Sequence, residues 1–277
     1  MNHILVPIDF SLLSEKAYFT AADICLKTGS EITLLNVVAA SGEVLVDISG
    51  NLIDSEDFDS SSVKSQLNAS VERIDSWYKH VENVKVNIKA LPGQVEEVVL
   101  HEIKSGKYDL VVMGTHGSSG LKEVFVGSHT EHIAMQSTIP VLSMKDTEKD
   151  LGRVVLASAF SRAFTVPRVF SNLCTALGAH VTFLHIKTLD SAASNTEIAM
   201  RMDQTAMASG IQVYEKVVFE ATDIESGIET YCNNHKTGLL AIESKGRTGL
   251  IKWLSGCISA DLINHYEHAL FTFKLNN

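Results

Sequence analysis

Leu110-Val111-Val112-Met113-Gly114-Thr115-His116-Gly117, followed after nine intervening residues by Gly127-Ser128, is the stretch on which the reading of this chain turns. A short apolar run bounded by glycine reads as a buried strand. The glycines behind it let the backbone come close to an anionic group and permit positive φ. The N–H groups that open a following helix would add donors and a favourable dipole. The spacing is not that of the Walker loop, because no Gly-Lys-Ser/Thr follows, and it is not the dinucleotide fingerprint. Glycines at such turns also serve close helix–sheet packing, so phosphate approach and packing both stand as readings.

The start of the chain points to the same place. Ile4-Leu5-Val6-Pro7-Ile8 reads as a second buried strand, ends in Asp9-Phe10-Ser11, and leads into a helical pattern from Ser14 to Leu26. In open parallel sheets ligands bind outside the carboxyl ends of strands, where the strand order reverses, so Asp9 and the glycine loop are expected to face one crevice. Asp9, Ser11 and Ser14 also stand where a helix needs an N-cap, and the two roles are compatible.

Further along, apolar runs alternate with amphipathic stretches, which predicts βαβ units: an α/β fold of parallel five-stranded sheets with helices on both faces. Strands are expected near residues 3–8, 31–37, 84–90, 109–113 and 140–144, with helices over Ser62–Val81 and Val95–Ser105, the latter after a turn at Leu91-Pro92-Gly93. Residues 43–53 carry a turn signal between two apolar runs and fit a β-hairpin. The acidic, serine-rich run 54–62 reads as a solvated loop, with cover for the crevice as the alternative.

The chain then repeats itself at a domain-sized period. Val154 to Ser161 aligns with Ile4 to Ser11, Thr182 to Ile186 with Thr33 to Val37, and Gly246 to Leu250 with Gly117 to Leu121. Two tandem domains follow, 1–146 and 151–277, joined by the polar run from Asp146 to Leu151. In the second copy Pro7 is replaced by Ala157, Asp9 by Ala159, Gly114 by Glu243 and Ser128 by Cys257. The second copy therefore keeps packing residues and loses polar ones, which leaves one competent site, in the first half.

Pro7-Ile8-Asp9 together with the pattern from Gly114 to Ser128 resembles the universal stress protein family, and the likeness extends over Leu34-Leu35-Asn36-Val37 and Thr130-Glu131. The resemblance implies a Rossmann-like fold of the adenine nucleotide α hydrolase type, here in tandem, and a bound cofactor, ATP or a related AMP or ADP, with or without Mg²⁺. It implies that Asp9 accepts a hydrogen bond from the nucleoside, that Pro7 and Val37 contact the adenine, and that Met113 and Gly114 lie on the ribose side. Gly117, Gly127 and Ser128 would meet the phosphates, with His116 a donor at the loop tip and His129 beside them. Related domains pair through the last strand, so Ile139–Met144 and Ala269–Lys274 are expected to pair within one chain as an internal pseudo-dimer, with a homodimer of chains as a further association.

Composition narrows the function. A net charge of −10 argues against a general nucleic-acid surface, which needs clustered Lys and Arg. No stretch has the length of a membrane span, no signal segment precedes the first strand, and the four scattered cysteines read as reduced, buried thiols, all of which point to the cytoplasm. His129 and His132, like His265 and His268, are three apart but lack further local ligands, so surface histidines are the plainer reading than a metal face. No nucleophile elbow, kinase-like set or paired acid–base carboxylates occur, which favours a nucleotide-binding stress regulator over a slow nucleotide hydrolase or a nucleotide-free assembly module.

Overall fold

The computed structural model describes residues 1–39, 60–115, 128–145, 150–244 and 269–275. In the first half β1 (His3–Ile8), β2 (Glu31–Val38), β3 (Val86–Pro92), β4 (Leu110–Gly114) and β5 (Val141–Met144) alternate with α1 (Leu12–Thr28), α2 (Ser60–Trp77), α3 (Val95–Lys104) and α4 (Ser128–Gln136). The second half runs β6 (Arg153–Ala157), α5 (Arg168–Leu177), β7 (His180–Lys187), α6 (Asn195–Ser209), β8 (Tyr214–Glu220), α7 (Ile224–Asn234), β9 (Leu239–Glu243) and β10 (Ala269–Phe273).

All the strands belong to one ten-stranded sheet in the order β3-β2-β1-β4-β5-β10-β9-β6-β7-β8. β1 lies between β2 and β4, parallel to both, and β6 lies likewise between β7 and β9. Strand order therefore reverses once in each half. The two halves meet where β10 runs antiparallel to β5, with Phe271 opposite Leu142, which are the two edges expected to pair.

Side chains alternate across this sheet, as the pleat requires. Ile4, Val6 and Ile8 point to a core that runs on through Phe170, Phe271 and Phe273 and so belongs to both halves. Leu5 and Val111 point the other way, into a separate core with Val99 of α3 and Ile133 of α4. The second half has its own counterpart there, built on Leu184, Leu240 and Tyr231. Strands buried on both faces read as unbroken apolar runs, which is why they are legible in sequence.

Several expectations are corrected. β3 extends through Leu91 and Pro92, with Pro92 paired to Val38, where a turn was expected. β3 is the outer strand of the sheet, and an outer strand tolerates a residue without an N–H. The turn is left to Gly93, at φ +136°. α2 starts at Ser60, so Ser60–Ser62 are helix and not loop, and it ends at Trp77, short of Val81. Asn83, in the left-handed region at φ 64°, then turns the chain toward β3. The hairpin at 43–53, the remainder of the acidic run and most of the linker, 146–149, lie outside the described residues.

Cys25, Cys174 and Cys232 are buried cysteines outside any disulfide, and burial pushes both Cys25 and Cys174 up to about 12. Native protein at about pH 8 is expected to leave all three unmodified by an alkylating reagent that labels them once the chain is denatured, as read by peptide mass mapping. Rapid native labelling of Cys25 or Cys174 would contradict the packing described.

Candidate functional site

Three strand ends build one cleft. Pro7, Ile8 and Asp9 leave β1, Leu35, Asn36 and Val37 lie in β2, and Met113, Gly114 and Thr115 close β4. Val95 from α3 and His129 and Thr130 from the first turn of α4 complete the opposite wall, around a volume of about 130 Å³. The cleft opens at the carboxyl ends of β1 and β4, where strand order reverses. Its volume is close to that of a cavity that holds a single ring (about 150 Å³).

Each wall is tied in place by a specific bond. Asn36 donates Nδ2–H to the Ile8 carbonyl at 2.8 Å and accepts the Ser70 hydroxyl at 2.8 Å, which locks the end of β2 to the end of β1 and to α2. Thr130 donates its hydroxyl to the Gly114 carbonyl at 2.9 Å and fixes the first turn of α4 against β4. Ser11 is the N-cap of α1, accepting from Ser14 N at 3.2 Å, while its own N–H donates to Asp9 Oδ1 at 3.1 Å. Asp9 thus orients the turn without being the cap. Phe10 between them sits at φ 66°, in the left-handed region, with the Arg73 guanidinium 3.8 Å above its ring and Trp77 against its edge.

His129 faces the cleft from α4, and its Nδ1 lies 2.6 Å from Glu96 Oε1. Burial alone would push the Glu96 carboxyl up, but hydrogen bonds from His129 and from its own backbone N–H outweigh this and hold it below the usual carboxylate range. An ionised carboxylate only accepts, so Nδ1 carries the hydrogen of this bond.

Six of the residues singled out in the sequence, Pro7, Asp9, Val37, Met113, Gly114 and His129, therefore meet in one cleft. His116, Gly117 and Gly127 lie outside the described residues, as does the side chain of Ser128, whose backbone opens α4. Sequence reasoning missed Ser14, Val95 and the Glu96 that holds His129. The clue available for Glu96 was its place in the first turn of a helix beginning after Gly93, where carboxylates are favoured. His129 is engaged by Glu96, and no group of three His, Cys, Asp or Glu side chains able to hold a metal ion occurs among the described residues.

The corresponding strand ends of the second half line a hollow of about 180 Å³ with Ala157, Ala159, His185 and Ile186 where the first half has Pro7, Asp9, Asn36 and Val37. His185 Nδ1 lies 3.3 Å from the Ser158 carbonyl, the counterpart of the Asn36 bond to Ile8. The carboxylate is gone and the strut remains.

The sequence profile described as the universal stress protein family matches residues 1–145. The chain belongs to the universal stress protein family. A universal stress protein of Methanocaldococcus jannaschii is 26% identical, the match taking in 51% of this chain and 93% of that one. YxiE of Bacillus subtilis is 27% identical over 52% of this chain and 99% of its own length. The crystal structure of a universal stress protein from Archaeoglobus fulgidus superposes with a TM-score of 0.64 at 18% identity, covering all of this chain and 97% of that one, so the shared fold extends through the second half. Among the described residues of this universal stress protein, no helix is long and apolar enough to cross a membrane.

Gly114 has a packing duty apart from any ligand. A Cβ built there would stand 2.8 Å from Leu13 Cβ and 2.9 Å from the Leu13 carbonyl carbon, closer than side chains tolerate. Its φ lies outside the left-handed region, so it is close approach of α1, and not an unusual backbone, that demands glycine. Gly114→Ala is expected to cost about 1–3 kcal/mol, seen as a lowered urea midpoint with an unchanged slope. An unchanged midpoint would mean that α1 can back away from β4 freely.

Proposed function

We propose that this universal stress protein binds ATP or a related adenine nucleotide in a first domain, residues 1–146, and acts as a cytoplasmic stress-response regulator in which a second domain, residues 151–277, takes no nucleotide at the corresponding place. The observation that carries the reading is the convergence of Pro7, Asp9, Val37, Met113, Gly114 and His129 on one cleft at the reversal of strand order. Pro7, Leu35, Val37, Val95 and Met113 supply apolar surface of a kind that suits a flat base. Asp9 is the acceptor for a ribose hydroxyl or an amino group. The ring-sized volume takes one ring of the base, and the phosphates extend over the first turn of α4, where helix N–H groups and the dipole favour negative charge, with Gly117, Gly127 and Ser128 as their further partners in this reading.

Holding a ligand fits this lining better than turning it over. The lining holds a carboxylate and a histidine, and no lysine or arginine occurs in it among the described residues, whereas phosphoryl transfer draws on cationic groups and a metal clamp. A ligand present at a hundred times its dissociation constant stabilises the state that binds it by about 2.7 kcal/mol, enough to shift partner choice if only one state is competent. The buried cysteines Cys25, Cys174 and Cys232, which form no disulfide, suit a reducing compartment.

Calorimetric titration of ATP, with and without Mg²⁺, into wild type and Asp9→Ala tests the reading. One equivalent per chain is expected for wild type, and loss of the Asp9 acceptor is expected to weaken binding about tenfold or more, the scale of a hydrogen bond to a charged group. Purified protein that neither retains nor binds any adenine nucleotide would overturn it.

A further inference from the structure

The two halves differ most in the connection that follows their first strand. In the first half three residues, Asp9-Phe10-Ser11, separate β1 from α1, whereas in the second half the chain runs from Ser158 to Pro167 before α5 begins. The longer connection is fastened to α6. Arg201 Nη1 donates to the Phe160 carbonyl at 3.3 Å, Phe164 N–H donates to Thr205 Oγ1 at 3.3 Å, and Val166 N–H donates to Ser209 Oγ at 3.0 Å. Phe160 and Val166 of this connection are themselves buried.

This fastened segment forms a wall of a cleft of about 400 Å³. Arg162 and Arg168 line it from the segment and from the first residue of α5, and Lys274 lines it from the end of β10. Neither arginine forms an ion pair among the described residues. Lys274 spends one donor on the Gln136 carbonyl at 3.2 Å, and burial pushes its ammonium below the usual lysine range. Glu243 lines an adjoining hollow with Arg162, and among the described residues no carboxylate lines the cleft itself. The N-cap of α5, Pro167, has no side-chain bond to the helix, and in the first turn Phe170 N–H donates to the Pro167 carbonyl at 2.8 Å.

The exposed Arg162 and Arg168 and the partly buried Lys274 thus line one cleft with no described carboxylate in its lining, in a chain whose net charge is −10. Arg162 is carried on a segment bonded down at three points. We propose that the cleft lined by Arg162, Arg168 and Lys274 is a binding site for a phosphate-bearing small molecule, distinct from the nucleotide cleft of the first half and independent of whether that cleft is filled. Guanidinium groups match phosphate oxygens through paired N–H donors, and a lysine adds a point charge.

Inorganic pyrophosphate is the probe, titrated calorimetrically into the full chain and into Arg162→Gln/Arg168→Gln, with sodium chloride of matched ionic strength as control and with ATP titrated in parallel. The expected result is a saturable pyrophosphate equivalent that the double variant weakens at least tenfold, with ATP binding unchanged and a thermal melt equal to wild type. Lys274→Met, which leaves both arginines in place, should weaken the same equivalent by a smaller factor. Equal pyrophosphate binding by wild type and double variant, a response that matched salt reproduces, or no saturable binding at all would each overturn the site. A protein that fails with ATP yet passes here would lose the nucleotide reading and keep this one.

Discussion

The antiparallel pairing of β5 with β10 is the constraint from which the rest of the architecture follows. Each half is a parallel sheet whose last strand would otherwise present a row of unpaired backbone groups, a liability for any soluble fold. Pairing Leu142 with Phe271 closes both edges at once and leaves the outer positions to β3 and β8. Their burial reflects the change of place: β5 and β10 are buried throughout, while β3 is half-buried along its length and β8 is half-buried to exposed. A strand seam alone would let the halves hinge. The core shared by Ala21, Cys25, Phe170 and Phe273 on one face spans both halves and opposes it, whereas the opposite face keeps two separate cores.

The candidate cleft lies on the face with separate cores, and this placement has a physical sense. A shared core couples the halves; a separate one lets a site change around its ligand at local cost. The side chains that define the cleft are held by bonds between strand ends and helix starts, Asn36 to Ile8 and Thr130 to Gly114, and not by the seam. Loss of Asp9 in the second half therefore required no repair of the sheet. Ala159 occupies the turn, and Phe160 keeps the left-handed backbone of Phe10, at φ 45° against 66°. That a bulky residue holds this costly conformation in both copies marks the turn as a property of the fold, which the buried stacking of Phe160 on Phe183 supports.

Much of this was legible in the sequence, for identifiable reasons. Val154-Val155-Leu156 and Leu110-Val111-Val112 announce doubly covered strands because no polar residue interrupts them, and the repeat placed Glu243 at the position of Gly114, which the pairing of Val154 with Leu239 and of Ile4 with Leu110 bears out. What was not legible depends on tertiary contact. Pro92 reads as a turn until β3 is known to be an outer strand. Ligand approach and packing both stand as readings of Gly114 in sequence, and the packing duty shows only once Leu13 is found against it. The roles of Asp9 and Ser11 as cap were inseparable in sequence because both are good caps, and only the bond from Ser14 N to Ser11 decides between them.

Comparison of the two connections after the first strand shows how a duplicated fold gains new chemistry without new architecture. The carboxyl ends of the strands are the place where a parallel sheet can be altered cheaply, since loops there carry little of the core. In the first half the shorter of the two connections brings α1 so close to β4 that only glycine fits at position 114. In the second, the longer connection begins α5 later, at Arg168, and the place of Gly114 is taken by Glu243, a residue that the tight geometry of the first half would exclude. The freed backbone needs new partners, and α6 provides them through Arg201, Thr205 and Ser209. Lengthening the loop, replacing the glycine and fastening the segment to α6 are thus parts of one rearrangement, and Arg162, which the segment carries, is set on a fastened wall because the backbone beneath it had to be satisfied.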